Sequence, residues 1–163
     1  MFDMLLAPLL LFAPPQEAAC PQTGPDAAIA AIWRGTSTTK PAGVDAETAP
    51  MLAIGSPATL SLLPGAQVTL IEAPRAVYAT DSHAGYAAIE VGKPGTYRIL
   101  LSGQGWLEVL KDGDALRTIG NKGGPRCADI RKAVDFALTP GRHVIQIHGN
   151  LHSEVRVMVQ SID

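Results

Sequence analysis

Residues 95–119 read GTYRILLSGQGWLEVLKDGDALRTI, and this stretch decides the fold. Its first half alternates so that Tyr97, Ile99 and Leu101 share one face of a strand. A second alternating run follows, and the dipeptide Asp112-Gly113 then predicts a tight hairpin turn. Apolar residues with a period of two, joined by tight turns, favour an antiparallel sheet over helices.

The same period recurs along the chain from residue 58 onward. The alternating segments predict about nine short strands, at residues 59–62, 67–70, 87–91, 96–101, 106–110, 115–119, 134–138, 144–148 and 155–159. No helix-period segment exceeds two turns, so the sequence predicts an all-β, antiparallel β-sandwich of jelly-roll-like type. The residues expected in its core are Tyr97, Ile99, Leu101, Val109, Phe136, Ile145, Ile147 and Val157.

Three predicted strands are preceded by the same dipeptide, Pro-Gly, at residues 64–65, 94–95 and 140–141. Proline fixes φ at the first turn position and glycine supplies a positive φ at the second, so each dipeptide predicts a type II turn. The unequal spacing of the three argues against a solenoid repeat.

The chain before residue 58 has a different character. Residues 4–13 are an apolar run of signal-peptide length, too short to span a bilayer as a helix, so we expect residues 1–19 to be an export signal. Residues 20–57 are rich in Pro, Ala, Thr and Gly and predict an N-terminal arm. Within the arm a short helix is expected over residues 27–33, capped by Asp26. The sandwich domain is expected over residues 58–163.

Composition narrows the class of partner. The chain has 163 residues, which suits one domain, and only 17% of them are charged. The net charge is −2, and loss of residues 1–19 would remove Asp3 and Glu17 and leave 13 basic and 13 acidic residues. A near-neutral chain gives no electrostatic reason to expect nucleic acid or an anionic membrane as the partner.

The two cysteines, Cys20 and Cys127, predict a disulfide in an exported protein. The bond would close a loop of about 108 residues, for which the chain-entropy account assigns roughly 4–5 kcal/mol. Two unpaired thiols are one alternative. Acylation of Cys20 in an envelope lipoprotein is another. Neither cysteine has a CxxC neighbour, which argues against redox catalysis and against a zinc site.

Glycines and cations concentrate between residues 120 and 132, and this loop is the candidate ligand site. The residues chosen are Asn121, Lys122, Gly123, Gly124, Arg126 and Arg131, and Lys132 follows them. Backbone amides of a glycine-rich loop, with cations nearby, can receive an anion or a carboxylate. The alternative to a ligand site is a crossover connection that the disulfide anchors and whose cations are solvated. The Gly-Lys-Ser/Thr ending of a phosphate loop is absent.

The histidines and aromatic residues offer weaker candidates. Past the turn at residues 149–150, His152 and Glu154 can return toward His148 and form a surface metal site, although a hairpin end with solvated imidazoles fits the same residues. We expect no metal and no cofactor. The candidates for stacking on a sugar are Trp33, Tyr78, Tyr86 and Trp106. Alternation of Trp106 with Leu110 favours core packing for that tryptophan.

The segment 94–159 resembles the bacterial pre-peptidase C-terminal type of β-sandwich, through its Gly-Thr-Tyr-Arg-Ile strand, its Leu-Glu-Val-Leu-Lys-Asp-Gly hairpin and its Thr-Pro-Gly turn. Residues 124–136, GPRCADIRKAVDF, are similar to the signature loop of a group of small exported α-proteobacterial proteins. Members of that group often carry the label homogentisate 1,2-dioxygenase, which implies a non-haem iron held by two histidines and a carboxylate. A His-x-His pair with a glutamate soon after, the cupin-type layout, does not occur among His83, His143, His148 and His152.

Taken together, these features favour a periplasmic or secreted, non-catalytic module that binds a small ligand or an envelope protein. A metal-dependent aromatic-ring dioxygenase is the first alternative. An envelope lipoprotein with a structural role is the second.

Overall fold

The structure is a computed structural model that describes residue 20, residues 23–72 and residues 81–163. The expected export signal at residues 1–19 and the stacking candidate Tyr78 lie outside this part of the chain. The described elements are one helix and twelve strands: α1 (Pro25–Trp33), β1 (Thr38–Pro41), β2 (Met51–Leu52), β3 (Ala58–Ser61), β4 (Leu63–Pro64), β5 (His83–Val91), β6 (Gly95–Leu101), β7 (Trp106–Lys111), β8 (Asp114–Ala115), β9 (Gly120–Lys122), β10 (Lys132–Leu138), β11 (Gly141–Asn150) and β12 (Glu154–Ser161).

The strands form two sheets, which confirms the predicted sandwich. Sheet 1 has the order β1-β3-β12-β6-β10-β9, and sheet 2 has the order β2-β5-β11-β7-β8 with β4 also paired to β5. The predicted count of nine strands is too low, because short strands at the sheet margins carry almost no alternation. The sheets are also mixed and not purely antiparallel, since β1 pairs with β3 and β2 with β5 in parallel.

The core lies between the two sheets, where alternate residues of the long strands meet. All eight predicted core residues are buried there, together with side chains such as Leu60, Ile89 and Val134. Burial on this scale is the main favourable term in folding, at roughly 25 cal/mol per Å² of apolar surface. The period-two pattern therefore identified inward-facing residues of β6, β7, β10, β11 and β12 correctly.

Helix α1 covers the outer face of sheet 1. Its residues Ile29, Ala30 and Trp33 pack against apolar side chains of β6, β10 and β12. The helix begins after Gly24, which makes no side-chain cap, so the prediction that Asp26 caps it is wrong; Asp26 lies in its first turn. The first turn suits an acidic residue because the backbone N–H groups there give it partial positive charge.

The predicted disulfide is present and joins Cys20 to Cys127 across a sequence separation of 107 residues. Cys127 lies in a short 3-10 turn, Arg126–Ala128. A lipid thioether at Cys20 would need the same sulfur atom, so the disulfide form excludes the acylated form. The disulfide fixes the start of the N-terminal segment beside the loop that precedes β10.

Among the described residues, loop residues cover the outer face of sheet 2. The Tyr86 hydroxyl oxygen lies 2.7 Å from the Gln146 Oε1 atom and 2.8 Å from the Thr69 carbonyl oxygen, and it donates its single proton to one of these two acceptors. The amides of Ile71 and Glu72 donate to the Gln146 Oε1 atom. The strand predicted at residues 67–70 is therefore wrong. Side chains of sheet 2 hold this segment, and no strand ladder forms there among the described residues.

The turns are partly as predicted. Asp112 and Gly113 both have positive φ, at 53° and 92°, and they connect β7 to β8 in the expected hairpin. Of the three Pro-Gly dipeptides only the one at Gly141, with φ 112°, has the positive φ that a type II turn requires. Gly65 instead begins a 3-10 turn, and Gly95 begins β6, so the type II prediction is wrong at these two positions.

The segment expected to be an arm, residues 20–57, contributes to both sheets through β1 and β2. Some of its apolar residues pack in the sandwich, as Ala42 and Leu52 do in the core, whereas Ile32, Val44 and Met51 are exposed. In the described residues, no helix has both the length and the hydropathy needed to cross a bilayer.

Candidate functional site

The two sheets separate along one flank, where the chain crosses from β8 to β9. Strand β8 pairs with β7 only at Leu110 and Lys111, and one further bond runs from the Leu116 amide to the Val109 carbonyl. The chain then leaves sheet 2 and reaches sheet 1, where the Ile119 amide bonds to a carbonyl of β10. In the described part of the chain, residues 106–108 have no strand neighbour on that side.

A cleft of about 580 Å³ occupies this flank. Its floor is apolar: Leu107 of β7 and Val134 and Phe136 of β10 are core residues at its base, and Leu116 of the crossing segment is more exposed. Small-molecule sites in proteins are clefts of roughly 300–1,000 Å³ with apolar walls and a few convergent polar groups. The polar residues of this cleft belong to both sheets and to the crossing segment: Glu108, Arg117, Thr118, Asn121 and Lys132.

Lys132 spans the gap between the sheets. It begins β10 in sheet 1, and its Nζ atom donates a hydrogen bond to the Gly105 carbonyl, next to β7 of sheet 2, at 2.6 Å. The same ammonium lies 5.2 Å from the centre of the Trp106 ring, within cation–π distance. Burial lowers the pKa of Lys132, because a charge is less stable away from water, while the negative charge of Glu108 acts in the opposite direction.

Trp106 forms the exposed rim of the cleft, and the prediction that it packs in the core is wrong. Its side chain is 39% exposed, whereas its neighbours Leu107 and Val109 point into the core. Leu110 does share a face with Trp106 and is buried, but on the outer side of sheet 2. Alternation alone gave the wrong result because this strand has apolar residues covered on both faces.

Glu108 connects the cleft to a buried polar group on sheet 2. Its Oε2 atom is 2.9 Å from the His148 Nε2 atom, and His148 is almost fully buried. Gln146 lies directly opposite Glu108 on β11. This contact gives the Glu108 carboxylate a hydrogen-bond partner and holds it in place beside the cleft.

The candidate loop does not form one site, because its residues face three different directions. Asn121 lines the cleft, whereas Lys122, Gly123 and Gly124 line a smaller depression of about 120 Å³ beside helix α1. Arg131 is exposed and pairs with Asp129 at 3.1 Å. Arg126 lies in the 3-10 turn Arg126–Ala128.

The weak metal candidates are also divided between two places. His152 and Glu154 line a depression of about 350 Å³ at the end of the β11–β12 hairpin, and His148 does not line it. Among the described residues, no three His, Cys, Asp or Glu side chains are grouped so as to hold a metal ion. His143 leaves the opposite face of β11 from His148, and burial lowers the pKa of His143.

Sequence reasoning selected two of the cleft residues, Asn121 and Lys132, as members of a loop, and it missed Glu108, Arg117 and Leu116. One signal for the lysine was available, since Lys132, Val134 and Phe136 alternate on one strand face and so place a cation beside the core. The other residues become neighbours only through the crossing between the sheets. Of the described stacking candidates, Trp33 and Tyr86 are buried and Trp106 keeps an exposed ring.

No protein-family model matches this sequence, and no curated protein matches it either. The resemblances to pre-peptidase C-terminal sandwiches and to small exported α-proteobacterial proteins therefore stay predictions. The geometry of the cleft is the basis for a functional assignment.

Proposed function

We propose that this protein is an exported, non-catalytic binding module that holds a small molecule in the cleft between its two sheets. The observation that carries the proposal is the cleft itself, with a volume of about 580 Å³, an apolar floor and polar groups from both sheets. Its rim is an exposed tryptophan, a side chain that supplies a large contact area with little loss of conformational entropy.

Export is supported by the disulfide between Cys20 and Cys127, because such bonds persist in oxidising compartments and are rare in the cytosol. The apolar run at residues 4–13 supports it independently. Thiol alkylation of intact cells followed by fractionation tests this part of the proposal. We expect the protein in the extracytoplasmic fraction with both cysteines protected, and reactive thiols in a cytosolic pool would contradict export.

The binding proposal is tested by ligand-observed NMR with a fragment library, on purified protein with its disulfide intact. Two neighbouring residues of β9 offer a matched pair of variants. Asn121 pairs with Val134 and lines the cleft, whereas Lys122 pairs with Ala133 and faces helix α1. A tryptophan at residue 121 fills the cleft, and a tryptophan at residue 122 adds the same bulk on the other face of the sheet.

We expect fragments that bind the wild type to lose their signal with Asn121→Trp and to keep it with Lys122→Trp. Amide spectra of both variants must show that the fold is retained. Fragments that bind both variants equally, or a library in which nothing binds the folded wild type at millimolar concentration, would contradict the proposed function.

A further inference from the structure

The cleft contains a cation that has no ion-pair partner among the described residues, although the charge of Glu108 acts on it from a greater distance. Lys132 is half-buried, and its ammonium group is hydrogen-bonded to the carbonyl of Gly105. None of the described carboxylates lies within 4 Å of it. Buried charges in proteins are normally paired, because removal from water is unfavourable for the charged form.

The position of the ammonium leaves it able to bind a ligand. A lysine ammonium has three N–H donors, and one of them is used by the Gly105 carbonyl. The Trp106 ring, at 5.2 Å, attracts the cation through its π face and helps to hold the side chain across the gap. Two donors therefore remain for oxygen atoms of a molecule in the cleft.

The other charges of the cleft limit the ligand to one negative charge. Arg117 lies on the exposed crossing segment and adds a second cation at the mouth. Glu108 lines the same cleft and carries a carboxylate held by His148, so a doubly charged anion would meet repulsion from it. The apolar floor favours a ligand whose remaining atoms are hydrocarbon.

We infer that the cleft binds an organic monocarboxylate, with its carboxylate on the Lys132 ammonium and its apolar body against Leu116 and the exposed Trp106 ring. This inference rests on the proposed function and adds the chemical class of the ligand. It also explains why Lys132 extends across the gap between the sheets and does not turn outward to solvent, as lysine side chains usually do.

The test compares each carboxylate with its uncharged amide. The probes are octanoate with octanamide and 4-phenylbutanoate with 4-phenylbutanamide, so that aliphatic and aromatic bodies are distinguished, and inorganic phosphate serves as an anion with no apolar part. Affinities are measured from amide chemical shifts on the disulfide-bonded protein. We expect both carboxylates, or the one with the preferred body, to bind at least about tenfold more tightly than the matching amide, as a charge-assisted hydrogen bond provides.

Three variants locate the effect. Lys132→Met keeps a long side chain without the charge and should bind carboxylate and amide equally, whereas Lys132→Arg keeps the charge and should retain the preference. Lys122→Met removes a cation of β9 on the other face of the sheet and should behave as the wild type. If Lys132→Met fails to fold, the inference is still tested by the two probe pairs on the remaining proteins. The wild type, Lys132→Arg and Lys122→Met should all bind the carboxylate more tightly than the amide, and a wild type without this preference would overturn the inference.

The outcomes separate this inference from the proposed function. Equal affinity of the wild type for carboxylate and amide, with shifts at Leu107 and Phe136, would overturn the monocarboxylate and leave the binding module standing. Phosphate binding as tight as that of the carboxylates would also overturn it. If none of the probes shifts the cleft amides at millimolar concentration, the monocarboxylate inference fails, and the fragment library then decides on the binding module.

Discussion

Asp135 and Arg98 form a bidentate pair on the outer face of sheet 1, with N–O distances of 2.7 and 2.8 Å. Both side chains are largely buried, at 15% and 14% exposed, so the pair is screened little by water. The hydrogen bonds from Arg98 lower the pKa of Asp135 below its ordinary value. This carboxylate therefore stabilises the folded state while it is ionised.

We expect Asp135→Asn to lower the free energy of unfolding by about 1–3 kcal/mol at pH 7, the usual size for a hydrogen bond to a charged group. The pKa of Asp135 is depressed in the folded state, so its contribution is present above the unfolded pKa of about 4 and is lost as pH falls through the folded pKa. The difference between variant and wild type should therefore shrink below about pH 4. Urea unfolding at pH 7 and pH 3 measures it.

Asp129→Asn is the matched control for this prediction. Asp129 pairs with Arg131 through one hydrogen bond at 3.1 Å, and both side chains are more than half exposed. Exposed pairs contribute about 0–1 kcal/mol. Equal effects of the two substitutions would show that burial of the Asp135 pair has no consequence for stability.

At the scale of elements, helix α1 depends on the disulfide. The helix has nine residues, which is too short to be stable alone in water. It contacts sheet 1 through Ile29, Ala30 and Trp33, and the bond from Cys20 to Cys127 fixes the chain that leads into it. The guanidinium of Arg156 also lies 5.6 Å from the Trp33 ring.

We expect reduction, or the double substitution Cys20→Ser/Cys127→Ser, to loosen helix α1 and residues 126–131 before any long strand opens. The chain-entropy account puts the total loss at roughly 4–5 kcal/mol for a loop of this length. Hydrogen exchange with and without reductant measures the order of opening. Simultaneous loss of protection in α1 and in β11 would contradict a separate role for the disulfide, and two reactive thiols in the untreated protein would contradict the bond itself.

The elements also show which parts of the fold the sequence could predict. Long strands such as β6 and β11 bury one face in the core, and their alternation was sufficient to find them and their inward residues. The segment at residues 67–70 alternates too, but it contacts the Tyr86 hydroxyl and other groups of sheet 2, and it pairs with no strand among the described residues. Among the strands of two to four residues, alternation found β3, whereas β1, β2 and β4 show no usable period.

At the scale of the whole molecule, the candidate site follows from topology and not from any local motif. The cleft exists because the chain leaves β8 after two paired residues and crosses to the other sheet at β9. Trp106 lies on the rim of the cleft because, among the described residues, this end of β7 has no strand neighbour on the side of the crossing. The sequence could place a cation on the inner face of β10 but could not show which strand would face it.

The composition of residues 20–57 suggested an arm outside the sandwich. This segment supplies β1, β2 and helix α1, and it also adds residues to all three apolar clusters: Ala42 and Leu52 in the core, Ile29, Ala30 and Trp33 on sheet 1, and Ala49 on sheet 2. A chain that starts at residue 58 would therefore expose β3 and the part of β5 that pairs with β2 as new edges, uncover the outer face of sheet 1 and remove Ala49 from the cover of sheet 2. Unpaired edges of this kind promote aggregation.

We expect the chain 58–163 to be insoluble or to lack a dispersed amide spectrum, since the loss affects every cluster at once. A chain that starts at residue 36 is the informative control, because it keeps β1 and β2 but lacks α1 and Cys20. It should fold with a lower melting temperature, close to that of the Cys20→Ser/Cys127→Ser variant, if the edge strands rather than the helix complete the sandwich. Cooperative unfolding of the chain 58–163 at the wild-type temperature would instead show that residues 20–57 are an accessory arm, as their composition alone implied.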